Sequence, residues 1–138
     1  MFKGSMAAMV TPFRGGKLDL PTLKEHAAFL LENGTDALVP LGTTGESPTL
    51  NSEERAEVLR VVLKAAKGKA PVVAGTGTND TRTTVEYTRA AEVMGADAAL
   101  SMAVDVRREM RPADPKAASF WQMHRMQGES RVTITLKD

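Results

Sequence analysis

Short apolar runs alternate with longer amphipathic ones over the first hundred residues, the pattern of βα units laid on a parallel sheet. Ser5 to Val10 predicts a first strand, ended by Thr11 and Pro12 because proline gives the ladder no donor. After a loop holding Gly15 and Gly16, Asp19 is placed to cap a helix that begins near Pro21. Leu23, Ala27, Leu30 and Leu31 share one face of that helix, and Asn33 and Gly34 stop it. Ala37 to Leu41 predicts the second strand, which runs directly into Gly42, Thr43, Thr44, Gly45 and Glu46. Asn51 with Glu54 three residues on is a helix-start pattern. Ala56, Leu59, Val62 and Leu63 then form the apolar stripe, up to Gly68. Pro71 to Ala74 predicts the third strand, Gly75 to Asp80 a second glycine-rich loop, and Thr81 to about Met94 a helix closed by Gly95. Ala96 to Leu100 opens a fourth strand. Strand starts thus recur every ~25 to 35 residues, the length of one βαβ repeat.

From Ser101 the texture changes. Arg107, Arg108, Glu109, Arg111, Pro112, Asp114, Pro115 and Lys116 form a charged, proline-bearing stretch without apolar periodicity, which reads as linker or disorder. Phe120, Trp121 and Met123 make a short apolar patch, and Val132 to Leu136 alternates in strand fashion. The chain therefore divides at about residue 100 into a βα portion, 1–100, and a divergent tail, 101–138.

Composition narrows the partners. Among 138 residues, 18 basic and 17 acidic side chains leave a net charge of +1, so no field draws the protein to nucleic acid or to anionic lipid, and small molecules are the expected ligands. The absence of cysteine excludes disulfides, thiolate metal sites and a cysteine nucleophile. His26 and His124 stand far apart and form no metal-binding spacing, so no metal site is expected. The apolar run Met6 to Val10 is too short for the core of a secretion signal, and no stretch is long enough to span a membrane; the expectation is a cytoplasmic protein.

Two loops carry the candidate chemistry. In parallel α/β sheets, ligands sit beyond the carboxyl ends of the strands, where Gly42 to Glu46 lies. The Thr43 and Thr44 hydroxyls both donate and accept, while Gly42 and Gly45 let the backbone approach a small anion such as a carboxylate. Glycine and threonine simply making a turn explains the same residues, and the pattern leaves both readings open. In the second loop a phosphate cradle is opposed by Asp80 and by the lack of a following lysine, so helix capping by Asp80 is favoured.

The strings MFKGSMAAMVTPF, GTTGESPTLNSEER, PVVAGTGTND and VMGADAAL, in this order over residues 1 to about 100, resemble the dihydrodipicolinate synthase family. GTTGE alone would also fit other pyruvate aldolases such as N-acetylneuraminate lyase. The resemblance implies a (β/α)8 TIM barrel, of which this chain holds the first three to four βα units, followed by an irregular C-terminal segment. It implies a lyase-type condensation of pyruvate with L-aspartate 4-semialdehyde in lysine and diaminopimelate biosynthesis, with no metal or organic cofactor. In such enzymes a strand-end lysine forms a Schiff base with pyruvate, and one threonine and two tyrosines relay protons. Carried across by position, Thr43 matches the relay threonine and Thr44 the residue holding the pyruvate carboxylate. Asn79 matches a subunit-interface residue that helps bind lysine in feedback-regulated members, and Thr83 stands where those members have a glutamate. The family is commonly tetrameric with a relay tyrosine crossing a dimer interface, a motif this chain lacks, so the resemblance leaves the assembly open, with a homo-oligomer among the alternatives. The uncovered strand edges of a half barrel predict self-association, aggregation or rescue by another chain.

The pattern departs from the family after Leu100. SMAVDVRREM replaces the tyrosine-bearing strand motif, and Tyr87, in a predicted helix, is the sole tyrosine. The lysine-bearing strand has no counterpart in place. Lys137, after the alternating run that ends at Leu136, is the one distant candidate, and an ordinary charged residue near the end of the sequence is the plainer reading. The expectation is a chain inactive by itself, or a non-catalytic fragment that binds a small carboxylate or docks onto a full-length homologue.

Overall fold

In the computed structural model, residues 3–101 are described, together with the backbone pairs Arg125–Met126 and Glu129–Ser130. The strand β1 (Met6–Ala8) lies parallel to β4 (Ala37–Val39), with Met6 opposite Ala37 and Ala8 opposite Val39. In the same way β5 (Val73–Gly75) lies parallel to β6 (Ala98–Leu100). A parallel bridge between Leu38 and Val72 joins the two pairs, supported by the Leu38 N–H on the Pro71 carbonyl (3.0 Å) and the Gly75 N–H on the Pro40 carbonyl (2.8 Å). Strands consecutive in the βα pattern are therefore neighbours in space, in the order β1-β4-β5-β6, as a (β/α)8 barrel requires of its first four strands.

The three helices follow the expected boundaries because their ends are locally coded. Asp19 caps α1 (Leu20–Glu32) through the Thr22 N–H at 3.1 Å, with proline in the first turn. At its other end the Asn33 N–H bonds the Phe29 carbonyl, and Gly34 takes φ 87°. Asn51 and Glu54 form a complete capping box on α2 (Ser52–Ala66), both bonds 2.9 Å. The α3 helix (Thr81–Met94) starts on Asp80 and stops at Gly95, whose φ of 94° is a left-handed cap.

Alternation along the strands splits the core into two clusters on opposite faces of the sheet. Toward the helices, Met9, Leu38, Val72 and Ala74 pack with Leu23 and Ala27 of α1, Val58, Leu59 and Val62 of α2 and Ala91 of α3. Each fully buried Leu or Val here contributes roughly 1.5–3 kcal/mol relative to exposure. On the other face Val39, Val73 and Ala98 meet with Leu100 against them, while Met6 and Val10 stand 43% and 47% exposed.

The first, third and fourth strands read from the sequence are shorter in the structure, at Met6–Ala8, Val73–Gly75 and Ala98–Leu100, and three further features differ from the sequence reading. The stretch after β1 forms a hairpin, β2 (Phe13–Arg14) with β3 (Lys17–Leu18). Gly15 and Gly16, at φ 58° and 76°, supply the paired left-handed residues of a two-residue turn matched to strand twist. The buried face of α2 comprises Arg55, Val58, Leu59, Val62 and Ala66, so Ala56 and Leu63 flank it and a charged residue lies on it. The second strand ends two residues early, because Leu41 turns left-handed at φ 62°. Farther along, β7 (Arg125–Met126) pairs antiparallel with β8 (Glu129–Ser130). The charged stretch 107–116, the Phe120–Met123 patch, His124, the Val132–Leu136 run and Lys137 lie outside the described residues. Among the described residues no helix is long and apolar enough to cross a membrane.

Candidate active site

At the carboxyl end of β4 the chain makes two successive 3-10 turns, Thr43–Gly45 and Ser47–Thr49, joined through Glu46 at φ 52°. Leu41 and Glu46 are the positive-φ residues other than glycine among those described, each costing ~1 kcal/mol or more. Their concentration at a strand end marks a loop whose shape is imposed from outside. Gly75 is one source of that constraint: a Cβ there would lie 2.2 Å from the Leu41 carbonyl oxygen and 2.6 Å from the Gly42 nitrogen. Only glycine lets β5 pass this close to the turn. Thr11 is another, its hydroxyl donating to the Gly45 carbonyl at 2.7 Å in a buried position.

The third constraint is Arg55, 6% exposed on the inner face of α2. Its guanidinium donates to the Ser47 carbonyl at 3.1 Å and to the Gly75 carbonyl at 2.7 Å, and lies 4.1 Å from the centroid of the Tyr87 ring. Burial lowers its pKa from the usual guanidinium value, with Tyr87 acting in the opposite direction. The two strand-end loops are thereby tied to each other and to α3. Sequence reasoning passed over this residue. The signal was present: Arg55, Leu59, Val62 and Ala66 fall on one helical row, so the charge had to point inward.

Thr43 and Thr44 are both exposed, and their hydroxyls make no hydrogen bond among the described residues. The loop thus presents two adjacent hydroxyls, each able to donate to a carboxylate or pass a proton, on a backbone held from beneath. Tyr87 lies on α3 at the flank of the sheet and is committed to Arg55, so it does not join them.

The second loop is organised by threonines. Thr88 donates to the Thr76 hydroxyl at 2.9 Å in the core, and the Thr84 hydroxyl meets the Thr78 N–H (3.0 Å) and the Asp80 carbonyl (2.9 Å). Asp80 is the helix cap: it accepts from the Thr83 hydroxyl at 2.5 Å and the Thr83 N–H at 2.7 Å, bonds that lower its pKa. Asn79 and Thr83 come together on a cleft of about 410 Å³ that also includes Ser47, Leu50, Arg55 and Tyr87, and Thr43 and Thr44 lie outside it. Among the described residues no three potential metal ligands cluster, and β1, β4, β5 and β6 carry no lysine.

Comparison with known proteins identifies the family and the fold. The model of the dihydrodipicolinate synthetase family matches residues 1–103. The 4-hydroxy-tetrahydrodipicolinate synthase of Roseobacter denitrificans is 55% identical over 100 residues, which cover 72% of this chain and 34% of that protein. The dihydrodipicolinate synthase structure from Thermotoga maritima superposes with a TM-score of 0.71 at 46% identity, over 73% of this chain and 34% of that one. The chloride-inhibited enzyme from Acinetobacter baumannii, solved in complex with pyruvate, matches at 41% identity and a TM-score of 0.71, covering 73% of this chain and 35% of its own. The chain spans about a third of the length of the curated relatives it matches. Across the strands, caps and threonine loop just described, the chain belongs to the dihydrodipicolinate synthetase family.

Proposed function

We propose that the described residues form the pyruvate-carboxylate and threonine-relay part of a 4-hydroxy-tetrahydrodipicolinate synthase site, which condenses pyruvate with L-aspartate 4-semialdehyde. Thr44 holds the carboxylate and Thr43 relays the proton. The observation that carries this reading is the rigidly supported, outward-facing Thr43–Thr44 pair at a strand end. Its support is the 41% identity to a relative solved with pyruvate. The reaction needs an amine that loses water with the pyruvate ketone, giving an iminium that acidifies the methyl group. None of the four parallel strands supplies that lysine.

A second reading is that this chain binds pyruvate or a similar small carboxylate without reacting with it, or docks onto a full-length homologue. Incubation of the folded chain with pyruvate and borohydride, followed by intact mass spectrometry and peptide mapping, separates the two. A reduced adduct at one lysine, Lys137 or another, supports the aldolase. Binding without an adduct supports the second reading, and no binding at all overturns both pyruvate-site assignments. Asn79 is proposed as part of a regulatory interface. Thr83, a neutral side chain whose hydroxyl is engaged by Asp80, argues against lysine inhibition there. Self-association through the exposed Met6 and Val10 face is the assembly we expect, read by light scattering.

A further inference from the structure

We infer that Thr11 and Arg55 are positioning residues that clamp the threonine loop by its carbonyl oxygens. Their effect on ligand binding rests on the pyruvate-site reading above, whereas the clamp itself rests on geometry. The two anchors grip the loop two residues apart, at Gly45 through Thr11 and at Ser47 through Arg55, immediately after the outward-facing pair. Both anchoring side chains are buried, at 5% and 6% exposure, so they act from the protein side of the loop.

The loop needs such anchors. Its internal bonds are short-range, those of two 3-10 turns with poorer geometry than an α-helix and the Thr49 hydroxyl on the Glu46 carbonyl (2.9 Å), while Leu41 and Glu46 are both left-handed. Thr11 seats the loop against the end of β1: a Cβ on Gly45 would lie 3.0 Å from the Met9 carbonyl oxygen and 3.1 Å from the Thr11 hydroxyl. Arg55 seats it against the end of β5 through the shared bond to Gly75. Among the described residues Arg55 makes no ion pair, and a buried cation held by neutral partners is a poor source of stability compared with an apolar side chain of the same size. Its reach to two separate carbonyls, Ser47 in the loop and Gly75 at the end of β5, with the Tyr87 ring against the guanidinium, accounts for its presence as a spacer of defined length.

Two substitutions at Thr11 separate positioning from bulk stability. Thr11→Val keeps the shape and removes the hydroxyl; Thr11→Ser keeps the hydroxyl and removes a buried methyl. Hydrogen exchange of the 42–50 segment in the full chain without ligand should be ~5-fold faster in Thr11→Val, the loss of one neutral bond, and near wild type in Thr11→Ser. Arg55→Lys, which keeps the charge but lacks the two-pronged geometry, should raise exchange in the same segment by ~10-fold. It reads the other anchor should Thr11→Val not fold. Equal exchange in Thr11→Val and Thr11→Ser, or no change in Arg55→Lys, overturns the clamp. Pyruvate affinity should fall in the same order as loop exchange rises; an affinity indifferent to a loosened loop overturns the positioning role. A wild-type chain that binds no pyruvate refutes the proposed function, while the exchange data still decide the clamp.

Discussion

Gly75 and Gly42 lie on either side of one close contact, and alanine should have opposite consequences at the two positions. At Gly75 the new Cβ would fall 2.2, 2.4 and 2.6 Å from the Leu41 carbonyl oxygen, the Leu41 carbonyl carbon and the Gly42 nitrogen. Overpacking usually costs ~1–3 kcal/mol because side chains yield. These neighbours are main-chain atoms of a loop already in a left-handed turn, so the upper end, ~3 kcal/mol, applies. At Gly42, with φ −77° and ψ −175°, the same methyl meets nothing within 4 Å, and the change should stay within ~0.5 kcal/mol. With each kcal/mol worth roughly 4–8 °C in a domain of this size, Gly75→Ala should melt about 15 °C below wild type and Gly42→Ala within a few degrees of it. Thermal unfolding followed by circular dichroism reads both. Equal melting temperatures for the two variants would refute the claim that β5 and the threonine loop touch through backbone alone.

Thr44→Val, which removes the hydroxyl and nearly preserves shape, should weaken pyruvate binding by ~10-fold, the loss of one bond to a charged acceptor. Unchanged affinity by calorimetry would remove Thr44 from the site. Asn51→Ala breaks the capping box and should cost ~1 kcal/mol in urea unfolding; a neutral result would mean that α2 is held by packing alone. The carboxyls of Asp19 and Asp80 both titrate below the usual range. Asp19 is lowered chiefly by the Thr22 N–H and then by Arg14, and Asp80 by the Thr83 hydroxyl and then its N–H. Because the folded pKa is the lower one, their capping is complete above the unfolded value of ~3.9 and is lost as pH falls through the folded value. Thr22 and Thr83 amide resonances should therefore move only in acid below that point, and a midpoint above it would contradict both caps.

What was legible in the sequence was what is decided locally. Asp19, the Asn51–Glu54 pair, Asp80 and Gly95 set helix ends through bonds to residues within four positions, and each was read from its own neighbourhood. The threonine loop was read beyond a strand end because the apolar run breaks at Gly42, although the strand itself stops at Val39. What escaped depends on contacts distant in sequence. Leu41 departs from the strand because Gly75, 34 positions on, brings β5 against it. Thr11 looked like a strand terminator, and its role appears only with Gly45 beside it. Arg55 was hidden by its charge, which ordinarily signals solvent and is here satisfied by two carbonyls and a ring. The hairpin at Phe13–Leu18 has strands of two residues, too short to show a period.

The order β1-β4-β5-β6 also bears on how the fold is acquired. Among the described residues each new strand adds beside the one just made, with pairings separated by roughly 25 to 35 residues. As the chain emerges during synthesis, β1 and β4 can associate under α1 before β5 exists, and every later unit meets a finished edge. Assembly of this kind proceeds as stepwise growth on a template. A loss of the earliest strand should therefore do more harm to folding yield than an equal loss at the growing end.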